Sequence, residues 1–192
     1  MEAFLISTGV VALAEIGDKT QLLAFILAAR FKKPIPIILG IFVATIFNHG
    51  LAGAVGSWIS SNVDPSLLRW ILGVSFIAIS IWTLIPDKIE EEKTSITSKF
   101  GVFGATLVTF FLAEMGDKTQ IATVALAAHF SQPLFVVAGT TAGMLVADIP
   151  AVFIGNKFSE KIPMNLVHKI AASIFALLGF VTLLGNPISW LS

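Results

Sequence analysis

Leu13 to Phe31 reads LAEIGDKTQLLAFILAARF, and Leu112 to Phe130 reads LAEMGDKTQIATVALAAHF. Twelve of the 19 positions are identical at a constant offset of 99 residues, which also pairs Pro34 with Pro133 and Gly40 with Gly139. Each copy sets three charges within five residues, Glu15, Asp18 and Lys19 or Glu114, Asp117 and Lys118, inside an otherwise apolar stretch. At bilayer depth one charged side chain costs at least about 2.5–3.5 kcal/mol. Unpaired, two such clusters would cost well over about 10 kcal/mol, so they demand function or compensation.

The surrounding composition makes bilayer depth the right setting. Of 192 residues 56% are hydrophobic and 12% charged, with a mean hydropathy of +0.90. Soluble domains carry roughly 25% charged residues. Sixteen Phe and no Tyr suit a lipid-facing surface, and zero net charge offers no footprint for nucleic acid. Without cysteine there are no disulfides, thiol nucleophiles or thiolate metal sites. Met1-Glu2-Ala3-Phe4 lacks the positive charge that opens a cleavable signal, so the first apolar stretch reads as retained.

A helix needs roughly 20 apolar residues to cross the hydrocarbon core. Six stretches qualify, near 4–29, 35–58, 67–86, 101–128, 134–156 and 166–185. The reading is an all-α integral membrane protein with six transmembrane helices. Residues 1–86 form one three-helix repeat, 87–99 a cytoplasmic linker with Glu90-Glu91-Glu92 among lysines, and 100–192 the second repeat. Three spans per repeat is an odd number, so the second repeat enters from the opposite side. Such inverted-topology repeats underlie many secondary transporters, with the substrate site near mid-membrane.

Basic residues mark the cytoplasmic side. The first, third and fifth connections carry Arg30, Lys32, Lys33, Lys88, Lys93, Lys99, Lys157, Lys161 and Lys169, against Arg69 alone on the other side. Both termini are therefore expected outside the cytoplasm, in a multi-pass protein of the cell (inner) membrane. An internal membrane such as the thylakoid is the alternative location. Gly40, Ala44, Asn48, Ala52 and Gly56, matched by Gly139, Gly143, Ala147, Ala151 and Gly155, form small-residue stripes suited to close helix packing in lipid.

Glu and Asp three residues apart share one helix face, so each motif offers two carboxylates in one direction. Two motifs meeting between repeats gather Glu15, Asp18, Glu114 and Asp117 around one point. Hard oxygen ligands of this kind suit Ca²⁺, Mn²⁺ or Mg²⁺. Gly17 and Gly116 let the backbone kink and expose carbonyls. Four carboxylates face only two lysines, so the clusters are more than charge-balanced glue between helices. Lys19 and Lys118 either offset charge when the site is empty or pair structurally. Thr20, Thr119, Gln21 and Gln120 supply neutral oxygens or bonds to neighbouring helices. Asn48 reads as ligand or interhelical glue, and His49 as proton relay or a satisfied buried histidine. Asp148, a carboxylate inside the fifth span, is a functional candidate by default. No resident cofactor is expected. The partners are the bilayer, a divalent ion and protons.

The doubled E-x-G-D-K-T motif, Glu15 to Thr20 and Glu114 to Thr119, first in each of two three-helix halves, resembles the family of small manganese/calcium–proton exchangers. The likeness covers essentially the whole chain. Members of that family reside in Golgi and chloroplast membranes, and bacterial members export manganese. The resemblance implies that Glu15, Asp18, Glu114 and Asp117 form the cation site, with export from the cytoplasm driven by inward proton movement. It leaves Mn²⁺ and Ca²⁺ both open. The competing readings are an amino-acid exporter on a similar architecture and a metal-dependent membrane phosphatase. Phosphate handling favours arginine forks, and Arg30 and Arg69 both lie outside the motifs.

Overall fold

The computed structural model describes residues 1–85, 101–154 and 164–184. Among the described residues all regular structure is helical. The helices are α1 (Glu2–Glu15), α2 (Lys19–Phe31), α3 (Pro34–Asn62), α4 (Pro65–Thr83), α5 (Gly101–Glu114), α6 (Lys118–Phe130), α7 (Pro133–Ile154) and α8 (Met164–Leu184). Proline opens α3, α4 and α7, where the missing N–H costs nothing and the fixed φ already suits a helix. Asp64 caps α4 by accepting from the Ser66 hydroxyl and backbone N–H, bonds that hold its carboxyl below the usual carboxylate range. Lys32 and Ser131, again 99 residues apart, end α2 and α6 in the left-handed conformation with φ of 51° each.

Polarity runs inside out. Phe47, Trp58, Phe153 and Phe180 lie more than half exposed, whereas Glu15, Glu114, Asp148 and Lys118 are buried. That distribution is costly in water and favourable in lipid, where the solvent is the apolar phase. Among the described residues four helices are long and apolar enough to cross a membrane: Pro34–Asn62, Pro65–Thr83, Pro133–Phe153 and Leu166–Leu184. They match four of the six expected stretches to within a few residues.

The other two stretches differ from expectation. Residues 4–29 and 101–128 are not continuous helices: each is split, into α1 and α2 of 14 and 13 residues and into α5 and α6 of 14 and 13. Both splits fall inside the E-x-G-D-K-T motif. Arg30 lies in the last turn of α2, and Arg69 and the exposed Lys169 lie in the second turns of α4 and α8 rather than in connections. The linker 87–99, Gly155, Lys157 and Lys161 lie outside the described residues.

Each motif-bearing helix packs on the other repeat. Helix α1 runs along α7, α5 runs along α3, and α4 packs on α8. The stripe glycines make the first two contacts close. A Cβ on Gly40 would sit 2.7 Å from Thr106 Cβ and 3.0 Å from the Phe103 carbonyl. On Gly139 it would sit 3.0 Å from Ser7 Cβ and 2.5 Å from the Phe4 carbonyl. Phe4 and Phe103, and Ser7 and Thr106, are again related by the 99-residue offset, so the same contact is made twice with the repeats exchanged.

Candidate cation site

Helix α1 ends at Glu15 and α2 begins at Lys19, and the residues between explain the break. Ile16 is extended, Gly17 has φ of 85°, and Asp18 returns to extended backbone as the N-cap of α2. The second copy repeats this with Gly116 at φ of 75° and Asp117 extended at the cap of α6. A side chain at positive φ costs roughly 1–2 kcal/mol, which glycine avoids. The glutamines three residues after the aspartates satisfy the exposed backbone: Gln21 Oε1 accepts from Gly17 N at 2.9 Å, and Gln120 Oε1 from Gly116 N at 2.7 Å. Each threonine donates to its glutamate, Thr20 to Glu15 at 2.5 Å and Thr119 to Glu114 at 3.1 Å.

This geometry corrects the helical-face argument. Glu15 and Asp18 do not share a helix; one ends a helix and the other caps the next, and the same holds for Glu114 and Asp117. Both carboxylates of a pair are nevertheless buried, and each aspartate sits at a helix N-terminus, where the backbone dipole favours negative charge.

The two motifs meet through crossed ion pairs. Lys19 Nζ lies 3.1 Å from Asp117 Oδ1, and Lys118 Nζ lies 3.0 Å from Asp18 Oδ1. Structural pairing, one of the two roles open to the lysines, is therefore made, and it is made between repeats. Glu15, Glu114 and Asp117 each offer an oxygen within 4.8 Å of the others. Oxygens on opposite sides of one ion at about 2.3–2.6 Å are separated by roughly that distance. Asp18 is outside this trio but joined to it through Lys118. Among the described residues Glu15 Oε1, Glu114 Oε1 and Asp117 Oδ2 are buried without hydrogen-bond partners. Such groups are expensive to leave unsatisfied, and each of the three clustered carboxylates carries one.

The remaining candidates separate into two groups. Gln21 Nε2 donates to the Ala147 carbonyl at 2.9 Å, and Gln120 Nε2 to Asn48 Oδ1 at 3.3 Å, while Asn48 Nδ2 donates to the Phe111 carbonyl at 3.0 Å. Asn48, Gln21 and Gln120 are thus engaged as interhelical bonds, with Thr20 and Thr119 orienting the glutamates. Asp148 and His49 are fully buried, and neither makes a hydrogen bond among the described residues. One participant carried no sequence signal: His168 of α8, with Nε2 3.1 Å from the Ile16 carbonyl at the first break. A histidine 152 residues downstream has no motif to mark it.

Apolar spanning helices, two of the helical stretches broken in mid-motif, and a buried acidic centre bridging two repeats define a polytopic membrane transporter of cations. The comparisons name the family. The model of the divalent cation/proton antiporter GDT1 family matches residues 3–91 and 102–189, and the chain belongs to that family. A Vibrio cholerae protein named "Putative manganese exporter" is 48% identical over 95% of this chain and 90% of its own length. GDT1-like protein 3 of Oryza sativa subsp. indica is 29% identical over 93% of this chain and 72% of its own. The chloroplastic GDT1-like protein 1 of Oryza sativa subsp. japonica is 30% identical over 88% and 58%. No solved structure matches the chain. The family is one of transporters, so the phosphatase reading is set aside and the chain is not an enzyme.

Proposed function

We propose that this protein exports a divalent cation, Mn²⁺ first and Ca²⁺ as the alternative, from the cytoplasm in exchange for protons. The observation that carries the reading is the clustering of the buried carboxylates of Glu15, Glu114 and Asp117, each with a partnerless oxygen, where the two motifs meet. Asp18 completes the set once Lys118 releases it. The manganese assignment leans on the name given to the Vibrio cholerae relative.

Six spans follow if α1 with α2, and α5 with α6, each count as one interrupted crossing. The two repeats then lie inverted, with the linker 87–99 cytoplasmic and both termini outside. The exchange of α1–α7 for α5–α3 contacts supports a two-fold relation between the repeats. The half-helix ends at mid-span resemble the broken helices that build ion sites in other secondary transporters.

Proton coupling needs no second pathway. Carboxylates crowded in a dry interior repel strongly, so the emptied site takes up protons and the filled site sheds them. Lys19 and Lys118 offset two of the charges in the empty state. On the acidic side protons win the oxygens and release the metal, so apparent affinity falls as pH drops.

Purified protein in proteoliposomes, given Mn²⁺, Ca²⁺, Mg²⁺ and Zn²⁺ under an imposed pH gradient with a pH dye inside, tests this directly. Mn²⁺ or Ca²⁺ flux with opposing proton flux is the expected result. Full metal flux with neither proton movement nor pH-dependent affinity would leave a channel or uniporter. Reporter tags at Lys93 and Ser192 should fall on opposite sides of the membrane, and tags on one side would end the inverted-repeat reading.

A further inference from the structure

The geometry points to Asp148 as a further direct ligand of the transported ion, supplied by the scaffold helix α7 and not by either motif. The inference rests on the four-carboxylate reading above and adds a fifth.

Asp148 is fully buried, and both of its carboxylate oxygens lack a hydrogen-bond partner among the described residues. Helix α7 packs against both α1 and α2, the two halves that flank the first break. The preceding residue, Ala147, is anchored there by its carbonyl, which accepts from Gln21 Nε2 at 2.9 Å. That bond fixes the register of α7 against the motif. The Asp148 carboxylate adds to the negative charge around Glu15 and Glu114, from just outside the trio whose oxygens lie within 4.8 Å of one another. Among the described residues no lysine is paired with it: Lys19 and Lys118 are paired with the two motif aspartates. A carboxylate without counter-charge or hydrogen bond in a dry interior is costly. A divalent cation beside Glu15 removes that cost.

The 99-residue offset sharpens the point. The position equivalent to Asp148 in the first repeat is His49, equally buried and equally without a hydrogen-bond partner among the described residues. Imidazole is a poor match for a hard, oxygen-preferring ion. The fifth oxygen donor therefore comes from one repeat only, and the ion sits off the axis relating the repeats, toward Glu15.

Mn²⁺ titrated into detergent-purified protein, with free ion read from its six-line electron paramagnetic resonance signal, tests the assignment. Asp148→Asn and Glu15→Gln should each weaken Mn²⁺ binding by about tenfold or more, a change of about 1.4 kcal/mol. Asp148→Glu keeps the charge but moves the oxygens, so a ligand role predicts an altered bound-Mn²⁺ spectrum. If Glu15→Gln loses Mn²⁺ while Asp148→Asn binds like the native protein, the motif site stands and the Asp148 assignment is overturned. If both variants bind normally, the four-carboxylate reading falls with it. Should Asp148→Asn fail to fold, Asp148→Glu decides alone: a native affinity and spectrum reduce Asp148 to background charge and overturn the proposal.

Discussion

The two motif copies are nearly identical in sequence and in local shape, yet their surroundings differ. Lys118, paired with Asp18, is sealed from solvent, whereas Lys19, paired with Asp117, keeps 31% of its side chain exposed. Gln21 reaches a backbone carbonyl where Gln120 reaches the side chain of Asn48. Asp148 lies on the second-repeat helix that packs against the first motif, and its equivalent in the first repeat is His49. Local structure follows the duplicated residues, while access and charge follow the helices packed around them.

The strongest test asks whether the copies are functionally equivalent. Glu15→Gln and Glu114→Gln keep side-chain volume and remove charge, so each should lower metal flux in proteoliposomes by at least about a hundredfold, or about 2.7 kcal/mol. Near-native flux in either one would make the site belong to a single motif.

A smaller and deliberately unequal effect is expected from the lysines. Removing one partner of a buried ion pair costs about 3–5 kcal/mol, while a partly exposed pair is worth much less. Lys118→Met should therefore lower the thermal midpoint of the detergent-solubilised protein well beyond Lys19→Met. Equal shifts would show that the difference in enclosure has no energetic weight.

The stripe glycines rank next. A methyl on Gly139 meets the Phe4 backbone carbonyl at 2.5 Å, and one on Gly40 meets the Thr106 side chain at 2.7 Å. Neither the Phe4 carbonyl nor Thr106 Cβ can turn aside, but the approach at Gly139 is closer, so Gly139→Ala should destabilise more than Gly40→Ala, within the roughly 1–3 kcal/mol typical of overpacking. Comparative unfolding of the two variants reads the order, and the reverse order would sink the exchanged-contact picture. The last contrast concerns the second-motif glutamine: Asn48→Ala removes two interhelical bonds, from Gln120 and to the Phe111 carbonyl, at about 1 kcal/mol each, and should leave the Gln21 side untouched. A Gly17 amide exchange rate that rises with Asn48→Ala would contradict that separation.

Much of this was legible in the residues. The 99-residue duplication, the apolar stretches and the cost of intramembrane charge single out Glu15, Asp18, Glu114 and Asp117 without coordinates. The kink at Gly17 and Gly116 was legible, but not that each helix ends there and sets Glu15 and Asp18, or Glu114 and Asp117, on separate helices. Periodicity counts an apolar stretch as continuous, and one glycine does not reveal that φ has turned positive. The neutral candidates were ambiguous for a related reason: Gln21, Gln120 and Asn48 can ligate or brace equally well by type, and only their partners decide.

Sequence alone determined what must lie inside a bilayer and that it occurs twice, because hydropathy and identity are properties of residues in order. Tertiary structure decided which carboxylate faces which lysine, and that the pairs cross between repeats. It also left the side chains of Asp148 and His49 buried without hydrogen-bond partners among the described residues. Those are distances between residues about a hundred positions apart, set by where glycines let helix backbones approach, and no local pattern encodes them.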